Sequence, residues 1–103
     1  MKKYKVEFTK TSKEDLLNLA DVINEKYKAP LTAKKYTSEL IKEINKLRIN
    51  AQSIPLCRQQ SILSAFGYNA RRINYKKMAI IYTIFSDLVI IEAIIPQANI
   101  KSL

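Results

Sequence analysis

Residues Met78 to Pro96, MAIIYTIFSDLVIIEAIIP, form the longest strongly apolar stretch of the chain and constrain its fold more than any other. A run of this length raises the question of a membrane helix. Asp87 and Glu92 lie inside it, however, and Ser86-Asp87 reads as a turn that divides it into two strand-sized halves. Each half is apolar on both faces. Met78, Ile80, Tyr82 and Ile84 alternate with Ala79, Ile81, Thr83 and Phe85, and Val89, Ile91, Ala93 and Ile95 alternate with Leu88, Ile90, Glu92 and Ile94. Strands of that kind belong at the centre of a sheet covered on both sides. The pattern predicts strands at about 77–85 and 88–95, preceded by another at about 69–75, and no membrane span.

The N-terminal half reads differently. Tyr4, Val6 and Phe8 alternate with Lys3, Lys5 and Glu7, as in an edge or half-buried strand. Thr11 and Glu14 then fit a capping box, followed by a helical stripe of Leu16, Leu19, Ala20, Ile23 and Tyr27. Pro30 interrupts that pattern. A second helix is expected from near Thr32, with Ala33, Tyr36, Leu40, Ile44 and Leu47 on its apolar face and Lys34, Lys35, Lys42 and Lys46 on its flanks. Two helices with so short a join make a helical hairpin.

Residues 49–70 are the least legible. Pro55 breaks any regular element there, Gln59 to Phe66 fit a short third helix, and Gly67 offers a turn. The order implies an α+β fold: an N-terminal β-strand, a helical hairpin, a short third helix and a C-terminal antiparallel β-meander. A chain of 103 residues with 48% hydrophobic content fits a single domain over residues 1–103.

Several chemistries fall away on composition. Histidine is absent and Cys57 is the single cysteine, so neither the usual zinc ligand set nor a histidine-based nucleophile arrangement can be assembled. One glycine rules out a glycine-rich phosphate loop or a dinucleotide fingerprint. The reading therefore includes no metal and no cofactor. A lone cysteine and the lack of an uninterrupted apolar region in Met1 to Lys10 fit a cytoplasmic protein.

The formal charge of +9 favours phosphate backbones and acidic protein surfaces alike. Residues 1–50 carry 12 positive charges against 7 negative ones, whereas residues 51–103 carry 6 against 2. The densest cluster is ARRINYKK, directly before the first buried strand. On a strand, Arg72, Asn74 and Lys76 share one face and Arg71, Ile73 and Tyr75 the other. Such a surface can clamp phosphates and stack a base. It can equally be a strand-to-strand turn with solvated Lys76 and Lys77, with Arg72 in a buried pair.

Other residues carry similar alternatives. Tyr82 either fills the core with its hydroxyl at the sheet rim or takes part in catalysis. Glu92 is a candidate partner for an arginine at the sheet edge. Arg58 and Gln59 read as surface, and Tyr27 and Tyr36 as helix packing. A metal-free enzyme could still cut RNA here, with cations stabilising the phosphorane and a lysine or tyrosine moving the proton.

Over nearly its whole length the chain resembles toxins of the RelE/ParE superfamily from bacterial type II toxin-antitoxin pairs. The resemblance rests on KYKVEFTKTSKEDLLNLADVI, on ELIKEINKLR and on ARRINYKKMAIIYTIFSDLVIIEAIIP. It implies the compact fold of that superfamily, a helical hairpin on an antiparallel sheet. It also implies a cognate antitoxin whose C-terminal segment wraps the toxin in a hetero-oligomer.

The resemblance offers two activities. RelE-like members cleave mRNA in the ribosomal A site, whereas ParE-like members poison DNA gyrase. Arg72 matches a basic position of the RelE pattern, but Asn74 stands in place of its second basic residue and Ala79 where a catalytic arginine is expected. Pro96-Gln97 replaces the common basic motif, only Lys101 supplies charge beyond it, and no histidine or tyrosine follows Tyr82. These departures point to the ParE-like branch, with Arg58, Arg71, Arg72, Lys76 and Lys77 contacting target or antitoxin. For a nuclease the set would be Arg72, Tyr75, Lys76 and Tyr82, with ribosome and mRNA as partners.

Overall fold

The two apolar strands lie at the centre of a four-stranded mixed sheet in the computed structural model, which describes residues 3–103. Strand β1 spans Lys5–Phe8, β2 Arg71–Tyr75, β3 Met78–Phe85 and β4 Leu88–Pro96, in the spatial order β1-β4-β3-β2. The last three form the expected antiparallel meander, and β1 runs parallel beside β4. Both faces are covered. Met78, Ile80 and Tyr82 pack with Leu40, Ile44 and Leu47 of the helical-hairpin side, while Ala79 and Ile81 pack with Ile62 and Ile100 on the other.

One irregularity corrects the simple alternation expected for β4. Ile81 pairs with Ala93 but Tyr82 pairs with Ile91, so Glu92 is an extra residue on its strand. A bulge of this kind shifts the alternation by one. Val89 and Ile91 therefore share their face with Ile94, whereas Ala93 and Ile95 look the other way. Nor does Glu92 meet an arginine. Its carboxylate accepts a hydrogen bond from Thr83 Oγ1 at 2.9 Å, and its carbonyl accepts one from Thr9 Oγ1 at 3.2 Å.

The same Thr9 explains where the first helix begins. Helix α1 spans Lys10–Tyr27, and its cap is Thr9, not Thr11. Thr9 N–H still bonds to the Ile91 carbonyl of the sheet at 3.1 Å, so the chain can leave the strand only here. Its Oγ1 accepts from Ser12 N–H at 3.1 Å, and buried Ser12 returns a bond to the Thr9 carbonyl at 2.9 Å. One of the unpaired first-turn N–H groups and the buried Ser12 hydroxyl are satisfied in this way.

Helix α2 spans Pro30–Asn45 and starts two residues before the expected Thr32. Pro30 ends the first helical pattern and opens the second, because the first helical position needs no N–H donor. Lys28, at φ 48°, turns the chain between them. A short helix α3 (Leu47–Asn50) and a 3-10 turn (Ala51–Ser53) follow, and Leu56 then forms an isolated bridge to Arg71. The expected third helix appears as α4 (Gln60–Phe66), which ends at Gly67 with φ 106°. A C-terminal 3-10 turn, Gln97–Ser102, joins α4 over the second face of the sheet through Ile100. Among the described residues, no helix is long and apolar enough to cross a membrane.

Candidate functional site

The β2–β3 hairpin divides the basic segment between the two faces of the sheet. Directly paired residues share a face. Arg72 and Asn74 pair with Ile81 and Ala79 and so stand on the α4 side. Arg71, Ile73 and Tyr75 pair with Tyr82, Ile80 and Met78 and stand on the side of the helical hairpin.

Lys76 departs from the expected alternation. The strand stops at Tyr75, and Lys76 occupies the turn with φ 53°. Its ammonium lies 5.3 Å from the Tyr36 ring centre and 5.4 Å from that of Tyr75, across the sheet from Arg72. A left-handed backbone at this position breaks the period of two, which is why Lys76 does not join Arg72 and Asn74. Lys77 is exposed in the same turn, and Arg58 is exposed in the segment before α4.

The two adjacent arginines have different surroundings. Arg71 Nη1 donates to the carbonyl oxygens of Ile54 and Gln52, and so clamps the irregular segment after α3 against the sheet. Among the described residues, Arg72 binds only side-chain amides. Nε donates to Asn74 Oδ1 at 2.8 Å, Nη1 to Gln59 Oε1, and Nη2 to Gln97 Oε1 at 3.1 Å. Gln97 in turn donates from Nε2 to the Lys76 carbonyl at 2.7 Å, and its backbone N–H bonds to the Lys77 carbonyl at 2.8 Å. The start of the C-terminal turn is thus fastened to the hairpin.

On the other face, the Tyr75 hydroxyl donates to Glu39 Oε2 at 2.8 Å, and its ring meets that of Tyr36 edge to face with centroids 5.3 Å apart. The bond to Glu39, above all, pushes the Tyr75 phenol up to about 12. The same bond holds the Glu39 carboxyl below its usual range, with Lys35, Lys76 and Lys42 acting in the same sense. Tyr82 is fully buried. Its hydroxyl donates to the Ala51 carbonyl at 2.7 Å, not to the sheet rim, and burial pushes it up to about 12.

Arg72, Tyr75, Lys76 and Tyr82 therefore do not converge. Arg72 faces α4, Tyr75 and Lys76 face α2, and Tyr82 is sealed inside. Among the described residues, no group of histidine, cysteine or acidic side chains could hold a metal ion. Glu39 and Gln97, which orient Tyr75 and Arg72, were not picked out by sequence reasoning. Each lies more than 20 residues from its partner, and no local pattern marks such a pair.

A second feature adjoins the lysine turn. An apolar groove of about 240 Å³ runs between α1 and the end of the sheet, lined by Leu19, Val22, Met78, Ile94, Ile95 and Pro96. Asp15 also borders it, but its carboxylate is engaged by the Ile94 N–H at 3.0 Å beside the bulge. Val22 is 58% exposed, so the groove is open to solvent along α1.

The family model for the ParE toxin of type II toxin-antitoxin systems, parDE, matches residues 6–100. A solved chain from the chromosomal ParDE toxin-antitoxin system of P. aeruginosa shares the fold, with a TM-score of 0.76 at 13% identity over 90% of this chain and 95% of that one. No curated protein matches the chain by sequence.

Proposed function

The chain belongs to the ParE toxin family of type II toxin-antitoxin systems, and we propose that it is a cytoplasmic growth inhibitor that poisons DNA gyrase and is neutralised by a cognate antitoxin. One observation carries the choice of mechanism: the groups that RNA cleavage would need together are scattered over two faces and the core. Arg72 could hold a phosphate, but Tyr75 and Lys76 lie across the sheet from it. Both phenols are pushed up to about 12, away from the range in which a general base works near neutrality.

A poison requires a docking surface and no proton relay. Arg58, Lys76 and Lys77 are exposed and Arg72 is half-buried. Arg71 acts by supporting the segment that leads to Arg58. A net charge of +9 steers such a surface toward a protein–DNA complex and, when no target is engaged, toward an acidic antitoxin. In this reading the apolar groove beneath α1 takes the apolar side of an amphipathic antitoxin segment. The turn lysines next to Met78 meet its acidic side. A pair of this kind stabilises a plasmid that carries it, because cells that lose the antitoxin gene stop growing.

The test is controlled expression in bacteria, with gyrase-linked DNA breaks and ribosome-associated RNA cuts mapped after growth stops. DNA breaks without early codon-phased RNA cuts are expected. The reverse pattern overturns the gyrase reading in favour of ribosome-dependent cleavage. A folded, antitoxin-free chain that causes neither lesion nor arrest would be a nontoxic basic binding module.

A further inference from the structure

We infer that Arg72 is the anchor of a carboxylate socket, the point at which one acidic side chain of the antitoxin is seated. The inference rests on the toxin-antitoxin reading above. A guanidinium has five N–H donors and no acceptor. Asn74, Gln59 and Gln97 take one each, leaving one on each terminal nitrogen.

The orientation of the amides follows from the same fact. Because Arg72 can only donate, the oxygens of Asn74 and Gln59 must be turned toward it, and their NH₂ groups point away, with no hydrogen bond of their own among the described residues. The Gln97 NH₂ is spent on the Lys76 carbonyl. What remains at Arg72 is a permanent positive charge with two of its own N–H donors unused, held in place by three amide oxygens that carry no compensating charge. Such a cluster has no use for a cation or a neutral acceptor-poor group; it fits an oxyanion.

No carboxylate among the described residues fills this place. Among the described residues the ion pair formed is Lys46 with Glu43, far along α2. Partial burial of Arg72 leaves its charge less screened than that of an exposed lysine. The choice of carboxylate over a nucleic-acid phosphate follows from the other cations. Lys76 is turned to the opposite face, and Arg71, whose Nη1 donates to two backbone carbonyls, stands on that face as well. A nucleic-acid backbone is held by cations repeated along it, whereas one planar fork matches one carboxylate.

The experiment follows the Arg72 Nε–Hε resonance of the full-length ¹⁵N-labelled chain during titration with a capped tetraglutamate peptide at constant ionic strength. The tetraglutamine peptide and a short DNA duplex serve as the other probes. The expected result is a saturable shift with tetraglutamate, none with tetraglutamine, and an unmoved Arg71 resonance. Gln59→Glu, at an exposed position with no capping bond, places a carboxylate against Arg72 from within. It should shift the resonance before any peptide is added and weaken peptide binding by about tenfold or more.

Absence of a shift with tetraglutamate, an equal shift with tetraglutamine, or undiminished binding by Gln59→Glu overturns the socket. A response to DNA alone reassigns it to phosphate. Failure of the toxin reading is separately visible, as a chain with an intact socket that does not arrest growth.

Discussion

Replacing Tyr82 by Phe isolates one buried hydroxyl and tests the account of this residue as a structural part. The ring stays, so packing against the helical hairpin is unchanged, and only the 2.7 Å bond to the Ala51 carbonyl is lost. Both residues are fully buried, so the carbonyl gains no water in exchange. The expected cost near neutral pH is about 1–2 kcal/mol, the usual penalty for stranding a buried polar group.

The pH dependence gives the reasoning a second edge. The Tyr82 phenol is raised from 10.0 to about 12 in the folded state, so its neutral form is favoured there. Its contribution is complete below the unfolded value and is lost as the pH climbs toward the folded one. By pH 12 the wild-type chain has lost about 2 kcal/mol of stability through this titration, a loss the Phe variant does not suffer. The two stability curves should therefore meet at about pH 11 and then cross. Urea unfolding followed by far-ultraviolet circular dichroism, at neutral pH and in steps through the alkaline range, measures both. Lysine titration affects the two proteins equally and cancels in the difference. A variant as stable as wild type at neutral pH would refute the hydrogen-bond argument, and a constant offset through the alkaline range would refute the burial argument.

Three other substitutions probe separate parts of the molecule. Thr9→Ala removes the cap of α1 and the bond to the Glu92 carbonyl together, and should cost about 1–2 kcal/mol in urea unfolding, with Thr9→Ser restoring most of it; an unaffected midpoint would show that the cap and the bulge are not coupled. Replacing the turn by Lys76→Gly with Lys77→Ser relieves the left-handed strain at Lys76 but loses its ring contacts, two effects of about 0.5–1 kcal/mol each and opposite sign, so the melting temperature should barely move. Growth arrest should weaken in that variant, and full toxicity would remove the hairpin from the target surface. Val22→Glu alters an exposed groove residue, so stability should hold while co-purification with the cognate antitoxin drops about tenfold or more; undiminished co-purification would mean that the groove is not where the antitoxin lies.

The α+β order was legible because each element carries its own period. Met78 to Pro96 announced two strands covered on both faces, and the stripes around Ile23 and Ile44 announced the helical hairpin. The errors have a common physical origin in contacts between distant parts of the chain. Thr9 outcompetes Thr11 as the cap because β4 holds its backbone, 82 residues away at Ile91. The bulge at Glu92 is invisible in an apolar run, since inserting one residue changes register without changing composition. The environment of Arg72 was beyond reach for the same reason: Gln59 and Gln97 come to it only after α4 and the C-terminal turn have packed on the sheet.

The position of the densest charge, at the entrance to the most apolar strand, follows from that packing. Four cations in seven residues would repel one another strongly on a single face. An edge strand relieves this by alternation, sending Arg71 and Arg72 to opposite sides, and the turn carries Lys76 and Lys77 out into water. Arg71 is then stabilised by carbonyl oxygens and becomes part of the scaffold. Arg72 is stabilised by amides that orient its charge without cancelling it. Neighbours in sequence with the same side chain thus acquire different roles, because the strand places one against a segment rich in free carbonyls and the other at a surface still short of an anion. A charge-retaining Arg71→Lys change should accordingly be read in stability, and Arg72→Lys, which keeps the charge but loses the fork, in partner binding. If both variants were to differ from wild type in stability alone, the division of labour argued for this pair would be wrong.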